Sequence, residues 1–219
     1  MESLKEKAYD AIKKRIISSE YAADSLIDEK QLVAELGASR TPVREALIAL
    51  SQEGYVQILP KRGIFVTPFT YHDVVGIFQM RELLEPWLIK QYGPMLTREE
   101  LEKERKAVYA DAEQRQKKPR QVPNISVKHH PHTLLISKCE NKPILRMLDY
   151  AEEQGQRLPT TGGINRPRYV ETDAIQKEIL DKHLHMVEVL LAGDFELAQQ
   201  LMIQDVHDGR KIYMEYWFS

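Results

Sequence analysis

The run Ser39-Arg40-Thr41-Pro42-Val43-Arg44-Glu45-Ala46-Leu47 constrains this chain more than any other stretch, because it places a helix start and two arginines within one turn. Ser39 and Thr41 are favoured N-cap types, and proline suits the first helical position, where a backbone N–H has no partner to lose. The helix is therefore expected to begin near Pro42. Val43, Ala46, Leu47 and Leu50 recur at three- and four-residue spacing and form one buried stripe, which leaves Arg40, Thr41, Arg44 and Glu45 at the exposed leading edge. Such an edge suits a helix that enters a DNA groove. The alternative is that the arginines form surface ion pairs with Glu45 or Glu53.

The flanking residues build a domain around that helix. Leu4, Ala8, Ile12 and Ile16 repeat every four residues and mark an opening amphipathic helix, with Lys5, Lys7, Lys13 and Lys14 off the stripe. A connection from Glu20 to Leu26 leads to Asp28, an N-cap for a second helix over Glu29–Leu36 that Gly37 ends. Two short helices meeting across Gly37-Ala38-Ser39 make a helix-turn-helix. After Gly54, Tyr55–Leu59 alternates in β-formers, Pro60-Lys61-Arg62-Gly63 is turn chemistry, and Ile64–Thr67 returns as a second strand. The hairpin is a wing with two positive charges at its tip. Residues 1–70 thus read as a winged helix-turn-helix, with a boundary after Pro68.

Charge has to be read locally, because the 219-residue chain carries a net charge of only −2. Residues 1–69 hold ten Lys plus Arg against ten Asp plus Glu. From Lys30 to Arg62, five basic residues (Lys30, Arg40, Arg44, Lys61, Arg62) stand against three acidic ones, at element starts and in a turn, where a groove-facing surface needs them. No apolar run approaches the roughly 20 residues that span a bilayer, and the N-terminus has no apolar signal core, so a cytoplasmic location is expected. The single cysteine, Cys139, rules out an internal disulfide and suits a small buried hydrophobe.

Residues 71–219 read as an antiparallel all-α bundle, making the chain mainly α. A first helix spans 71 to about 93, with Pro86 expected to kink or divide it and Gly93-Pro94 to end it. Thr97-Arg98-Glu99-Glu100 fits a capping box for a charged helix to about Gln116. A linker over Lys117–Pro123 precedes helices from about Ile125 or later to Lys138 and from Pro143 to Gln154. Leu158–Tyr169 reads as a mobile loop, before helices over Thr172–Leu191 and Phe195–Trp217. The aromatic end, Tyr213, Tyr216, Trp217 and Phe218, suits either core packing or an interface.

The chemistry of this bundle turns on histidines. Ile175, Ile179, His183 and Val187 recur every four residues, so His183 faces inward while His185 points elsewhere. His132 falls with Leu135, Ile136 and Cys139, and Asp205 with Ala198, Met202 and Gly209. Two imidazoles and a carboxylate on inward stripes suit a divalent metal (zinc, nickel, iron or manganese), or else a network that bonds a ligand without metal. Three functions compete: a DNA-binding regulator, a metal-dependent hydrolase using His132, His183 and Asp205, and a helical scaffold whose winged helix binds protein. The hydrolase lacks a Gly-rich phosphate loop, a nucleophile elbow, His-Glu-x-x-His and Cys-x-x-Cys, and leaves the basic helix start unexplained.

The run at Ser39–Leu47 resembles, without a change, the most recognisable motif of the GntR family of bacterial transcription regulators, and the similarity extends over Leu32–Val66, including Glu53-Gly54 and Arg62-Gly63. The second domain resembles the FCD effector domain of the FadR subfamily in Arg81-Glu82-Leu83-Leu84-Glu85, His132, Asn141-Lys142-Pro143, His183 and Gly193-Asp194. The resemblance implies that Lys30, Ser39, Arg40, Thr41 and Arg44 meet operator bases and phosphates, and that the wing tip, Lys61-Arg62-Gly63, reaches the minor groove. It also implies a homodimer on a palindromic site, paired through the bundle, whose DNA binding a ligand controls. The implied effector is a small organic acid held by Arg81, Lys128, His132, His183 and Asp205. Many such domains hold a metal with an Asp four residues before the first His, that His, and two later ones. Here Lys128 stands at the Asp position, where it suits pairing with Asp205 or a ligand carboxylate. Pro131 replaces an aromatic and should disturb the helix at His132, and Asp205 replaces the last His. Arg81 has a second reading, an intrahelical pair with Glu85.

Overall fold

The computed structural model describes residues 3–18, 20–68, 70–117, 131–157 and 173–218. The chain divides between Thr70 and Tyr71 into two compact units.

The first unit runs α1 (Leu4–Ile17), β1 (Leu26–Ile27), α2 (Glu29–Leu36), α3 (Arg40–Gln52), β2 (Val56–Leu59) and β3 (Gly63–Val66). A reciprocal capping box starts α1: the Ser3 hydroxyl accepts from the Glu6 N–H and the Glu6 carboxylate accepts from the Ser3 N–H. Ala8, Ile12 and Ile16 are buried, but Leu4, expected on the same stripe, is 54% exposed, so the buried face begins one turn later. Asp28 caps α2 by accepting from the N–H groups of Lys30 and Gln31. Gly37 ends α2 at φ 58°, a left-handed conformation that glycine adopts without steric penalty.

The recognition-type helix α3 begins at Arg40 with Ser39 as N-cap, two residues earlier than its proline suggests. Pro42 is thus the third helical residue, where the missing N–H still lies among the orphan donors of the first turn. Val43, Ala46, Leu47 and Leu50 are fully buried, as the spacing requires, against Ile12, Leu32, Tyr55 and Val66 in one core cluster. β3 is the centre of a three-stranded antiparallel sheet ordered β1-β3-β2. Its pairing with β2 (Gln57 to Phe65, Ile58 to Ile64) makes the expected hairpin. β1 lies at the end of the stretch expected to be a plain connection; its two residues pair Leu26 with Phe65 and Ile27 with Ile64.

The second unit is all-helical among its described residues: α4 (Tyr71–Tyr92), a 3₁₀ turn (Gly93–Met95), α5 (Arg98–Lys117), α6 (His132–Lys138), α7 (Lys142–Arg157), α8 (Asp173–Ala192) and α9 (Phe195–Phe218). α4 packs on α9 and α6, α5 on α8, and α8 on α9. Pro86 does not divide α4, which runs unbroken through it. Thr97 and Glu100 form the expected capping box. α6 starts at His132, with Pro131 at its N-cap, so the proline opens the helix rather than disturbing its interior. The linker after Lys117, Lys128, the loop over Leu158–Tyr169 and the side chains of Tyr213, Tyr216, Trp217 and Phe218 lie outside the described residues.

Candidate functional site

On the first unit, the side chains picked out by sequence share one property, exposure. Ser39, Arg40, Thr41 and Arg44 are exposed on the first turns of α3, and Lys30 is exposed on the first turn of α2. Among the described residues, neither arginine has an ion pair with Glu45 or Glu53. Glu53 instead accepts from the Tyr9 hydroxyl at 2.6 Å and lies 3.5 Å from Lys13 Nζ, so it ties α3 to α1. A buried charge needs a partner, whereas an exposed guanidinium pairs with water and is available to a phosphate or a guanine edge.

The turn between β2 and β3 is closed by the Arg62 N–H donating to the Leu59 carbonyl at 3.1 Å. Pro60 holds its second position and Lys61 its third, at φ 63°, where glycine is the usual occupant. A left-handed non-glycine residue costs about 1–2 kcal/mol, so the turn holds a strained lysine at its tip. Gly63 follows at φ 115°, and a Cβ there would lie 2.6 Å from Leu26 Cδ1. Lys61, Arg62 and Gly63 are all exposed.

In the second unit, four helices bring a line of charged groups into the interior. On α4, Arg81 and Glu85 sit four apart on the stripe that includes Val74, Phe78 and Leu88, and are 3% and 1% exposed. Arg81 Nε donates to Glu85 Oε1 at 2.5 Å, the intrahelical pairing. The other Glu85 oxygen lies 2.5 Å from His132 Nδ1. His132 Nε2 is 3.2 Å from Asp205 Oδ2, and His183 Nε2 is 3.4 Å from Asp205 Oδ1. The two imidazole rings meet edge to face with centroids 5.8 Å apart.

Electrostatics fixes the protonation pattern. Burial pushes the Glu85 carboxyl up, but the Arg81 guanidinium and His132 outweigh it and hold Glu85 below its ordinary value. Burial likewise opposes ionisation of Asp205, yet its bonds to His132 and His183 carry it well below its ordinary value. Both carboxylates are therefore acceptors only. For His132, burial disfavours the imidazolium, but Glu85 and Asp205 together raise it to about 9. Facing a carboxylate at each nitrogen, the ring demands positive charge on the Asp205 side, either a proton or a metal ion.

The donor set fits a metal. The ligating atoms of His132, His183 and Asp205 all lie within 4.8 Å of one another. Bonds of about 2.0–2.1 Å in a tetrahedron separate neighbouring ligand atoms by about 3.3 Å, close to the distance of each imidazole from its own Asp205 oxygen and shorter than the 4.8 Å that bounds the set. Sequence reasoning gathers these three residues and names Glu85 only as a partner for Arg81, not for His132. Its signal is present: an acidic residue four positions after an arginine, both in phase with an apolar stripe. His185 and His207 are exposed, as the helical phase requires.

Comparisons with known proteins agree with both halves. The family model described as bacterial regulatory proteins, gntR family, matches residues 4–66, and the FCD domain model matches residues 76–208. An uncharacterized HTH-type transcriptional regulator from Streptomyces ambofaciens is 40% identical over 77 residues, 35% of this chain and 33% of that protein. One from Agrobacterium vitis is 36% identical over 78 residues, 36% of this chain and 46% of that protein, so the chain spans less than half of either relative. The HTH-type transcriptional repressor RspR of Escherichia coli is 24% identical over 226 aligned positions, covering 96% of this chain and 92% of the repressor. The crystal structure of a GntR regulator from Rhodococcus sp. RHA1 shares the fold at TM-score 0.69 and 18% identity, covering 97% and 98% of the two chains. A winged helix with an exposed basic helix start, followed by a helical unit with a His-His-Asp core, carries both family matches: the chain belongs to the GntR family of transcriptional regulators that have an FCD domain.

Proposed function

We propose that this chain is a ligand-responsive regulator that binds operator DNA as a homodimer, acts in the cytoplasm and, like the relative named a repressor, represses transcription. The observation that carries the DNA half is the surface placement of Lys30, Arg40, Arg44, Lys61 and Arg62, with no carboxylate partner among the described residues. A recognition helix reads bases with its N-terminal residues, so Arg40, Thr41 and Arg44 contact base edges and phosphates in the major groove. Ser39 and Lys30 contact the backbone, and Lys61, Arg62 and Gly63 bring the wing to the neighbouring minor groove. Two copies on a palindromic site supply the affinity that one winged helix lacks.

The helical unit is the input. His132 Nε2, His183 Nε2 and an Asp205 oxygen would hold a divalent ion (zinc, nickel, iron or manganese), which when bound supplies a Lewis-acidic anchor for the carboxylate of a small organic acid. Three protein ligands leave positions for that carboxylate. Arg81 supports the effector site through Glu85; Lys128 completes it as a cation for the acid. The effector acts by binding one arrangement of the bundle better than another, since a ligand shifts an equilibrium only by its differential affinity. The hydrolase reading has no comparable support, because the matching families and relatives are transcriptional regulators.

The test is selection of DNA from a randomised duplex pool by the full-length protein, followed by titration of the selected duplex with and without a panel of small carboxylic acids. The expected outcome is convergence on an inverted repeat, two chains per duplex in sedimentation, and an acid that changes affinity at least several-fold. Failure of any duplex to be enriched overturns the DNA half; a flat response across the panel overturns the effector half.

A further inference from the structure

We propose that Glu85, held by Arg81, is the positioning residue of the input site, fixing His132 as the Nδ1–H tautomer so that Nε2 is the atom presented beside Asp205 and His183. It rests on the metal-binding reading above for its functional consequence, but its geometric content stands apart from it.

Glu85 is 1% exposed and both its oxygens are committed, one to Arg81 Nε at 2.5 Å and one to His132 Nδ1 at 2.5 Å. A carboxylate that buried survives only when each oxygen meets a donor, and here one donor is a cation and the other a ring N–H. The imidazole has two nitrogens, and the one that carries the proton cannot bind a metal. With Nδ1–H donated to Glu85, Nε2, 3.2 Å from Asp205 and on the side of His183, is the nitrogen whose proton a metal ion would displace. The same bond fixes the ring plane, since rotation about the ring axis would break the bond to Glu85. It also makes the imidazole more basic, as an anionic partner behind a metal-bound histidine does. α4 carries Glu85 and α6 carries His132, so the bond locks the single short helix that delivers a ligand onto the long helix beside it. Arg81 has the complementary role of holding Glu85 ionised and in place.

The experiment uses the full-length protein, wild type and Glu85→Gln, with zinc as the diamagnetic probe. Zinc affinity is read by calorimetry and the imidazole tautomers by ¹⁵N–¹H NMR of the histidine rings, assigned with His183→Asn. Zinc-loaded wild type is expected to show His132 with its one ring proton on Nδ1, and Glu85→Gln to bind zinc about 10- to 100-fold more weakly while its circular dichroism matches wild type. Equal zinc affinity in a folded Glu85→Gln overturns the proposal. If wild type binds no metal, the metal reading fails by itself, and the nitrogen that keeps the single proton once the His132 imidazolium has titrated still decides the role of Glu85. Should Glu85→Gln not fold, the wild-type spectrum decides alone, and a singly protonated His132 ring with its proton on Nε2 overturns it.

Discussion

Replacing Gly63 by alanine separates two costs at the base of the wing. The residue stands at φ 115°, and its new methyl would lie 2.6 Å from Leu26 Cδ1. Residues other than glycine held in such sparsely populated regions cost about 1–3 kcal/mol. The clash is cheaper, because Leu26 is 60% exposed and its methyl swings away for about 0.5–1.5 kcal/mol of rotamer strain at most. Gly63→Ala is therefore expected to destabilise the first unit by about 1–3 kcal/mol, with the backbone the larger share. Both tryptophans, Trp87 and Trp217, lie outside this unit, so tryptophan fluorescence misses it. Amide hydrogen exchange at Leu47 and Leu50, buried in its core, reports it instead: protection should fall about 5- to 150-fold. The double variant Leu26→Ala/Gly63→Ala removes the clash but keeps the backbone strain, so it should recover only a minor part relative to Leu26→Ala alone. Full recovery in the double variant, or unchanged protection in Gly63→Ala, would refute the assignment of the cost to the backbone.

Other outcomes follow from the same geometry. Arg40→Ala should weaken binding to the selected duplex by about 1–3 kcal/mol and relax preference at one base pair, measured by titration of single-base variants at fixed salt. Lys61→Gly relieves the left-handed lysine and should leave hydrogen-exchange protection equal or higher while lowering DNA affinity. Zinc at about 100 times its dissociation constant should stabilise the helical unit by about 2.7 kcal/mol in thermal melts, and Asp205→Asn should abolish most of that gain. The Glu100 carboxyl, which accepts from Lys138 and from the Thr97 backbone and hydroxyl, is held down to about 2. Its interaction is in place above the ordinary value near 4.5 and is lost as pH falls toward 2, so ¹³C NMR should see it titrate near 2 in wild type and higher in Lys138→Met.

What sequence makes legible is local. Caps at Asp28 and Thr97, the glycine after α2 and the spacing of Val43, Ala46, Leu47 and Leu50 each act within a few residues, and the helices follow them; Ser39 stands at the start of α3 without a side-chain capping bond. β1 is hidden because two residues cannot show an alternation; Leu26 and Ile27 are a strand only because Ile64 and Phe65 arrive beside them. The start of α3 differs from expectation because proline is tolerated throughout the first helical turn, not at one position. In the helical unit, helical phase turns His132, His183 and Asp205 inward correctly, yet it says nothing of which faces meet. Glu85 escapes it for that reason: its partner lies on another helix, 47 positions away in the chain, and only packing shows that the Arg81 pair continues into His132.

The proposal that the exposed basic residues of α3 and the wing are a DNA interface is tested most directly by the salt dependence of binding. Plotted as log affinity against log salt on the selected duplex, wild type should give a steep negative slope, about −0.9 for each phosphate neutralised. Lys61→Ala/Arg62→Ala should make that slope shallower by about 1 for each phosphate that the wing ceases to neutralise. A wild-type slope near zero, or one that the double variant leaves unchanged, would contradict the account.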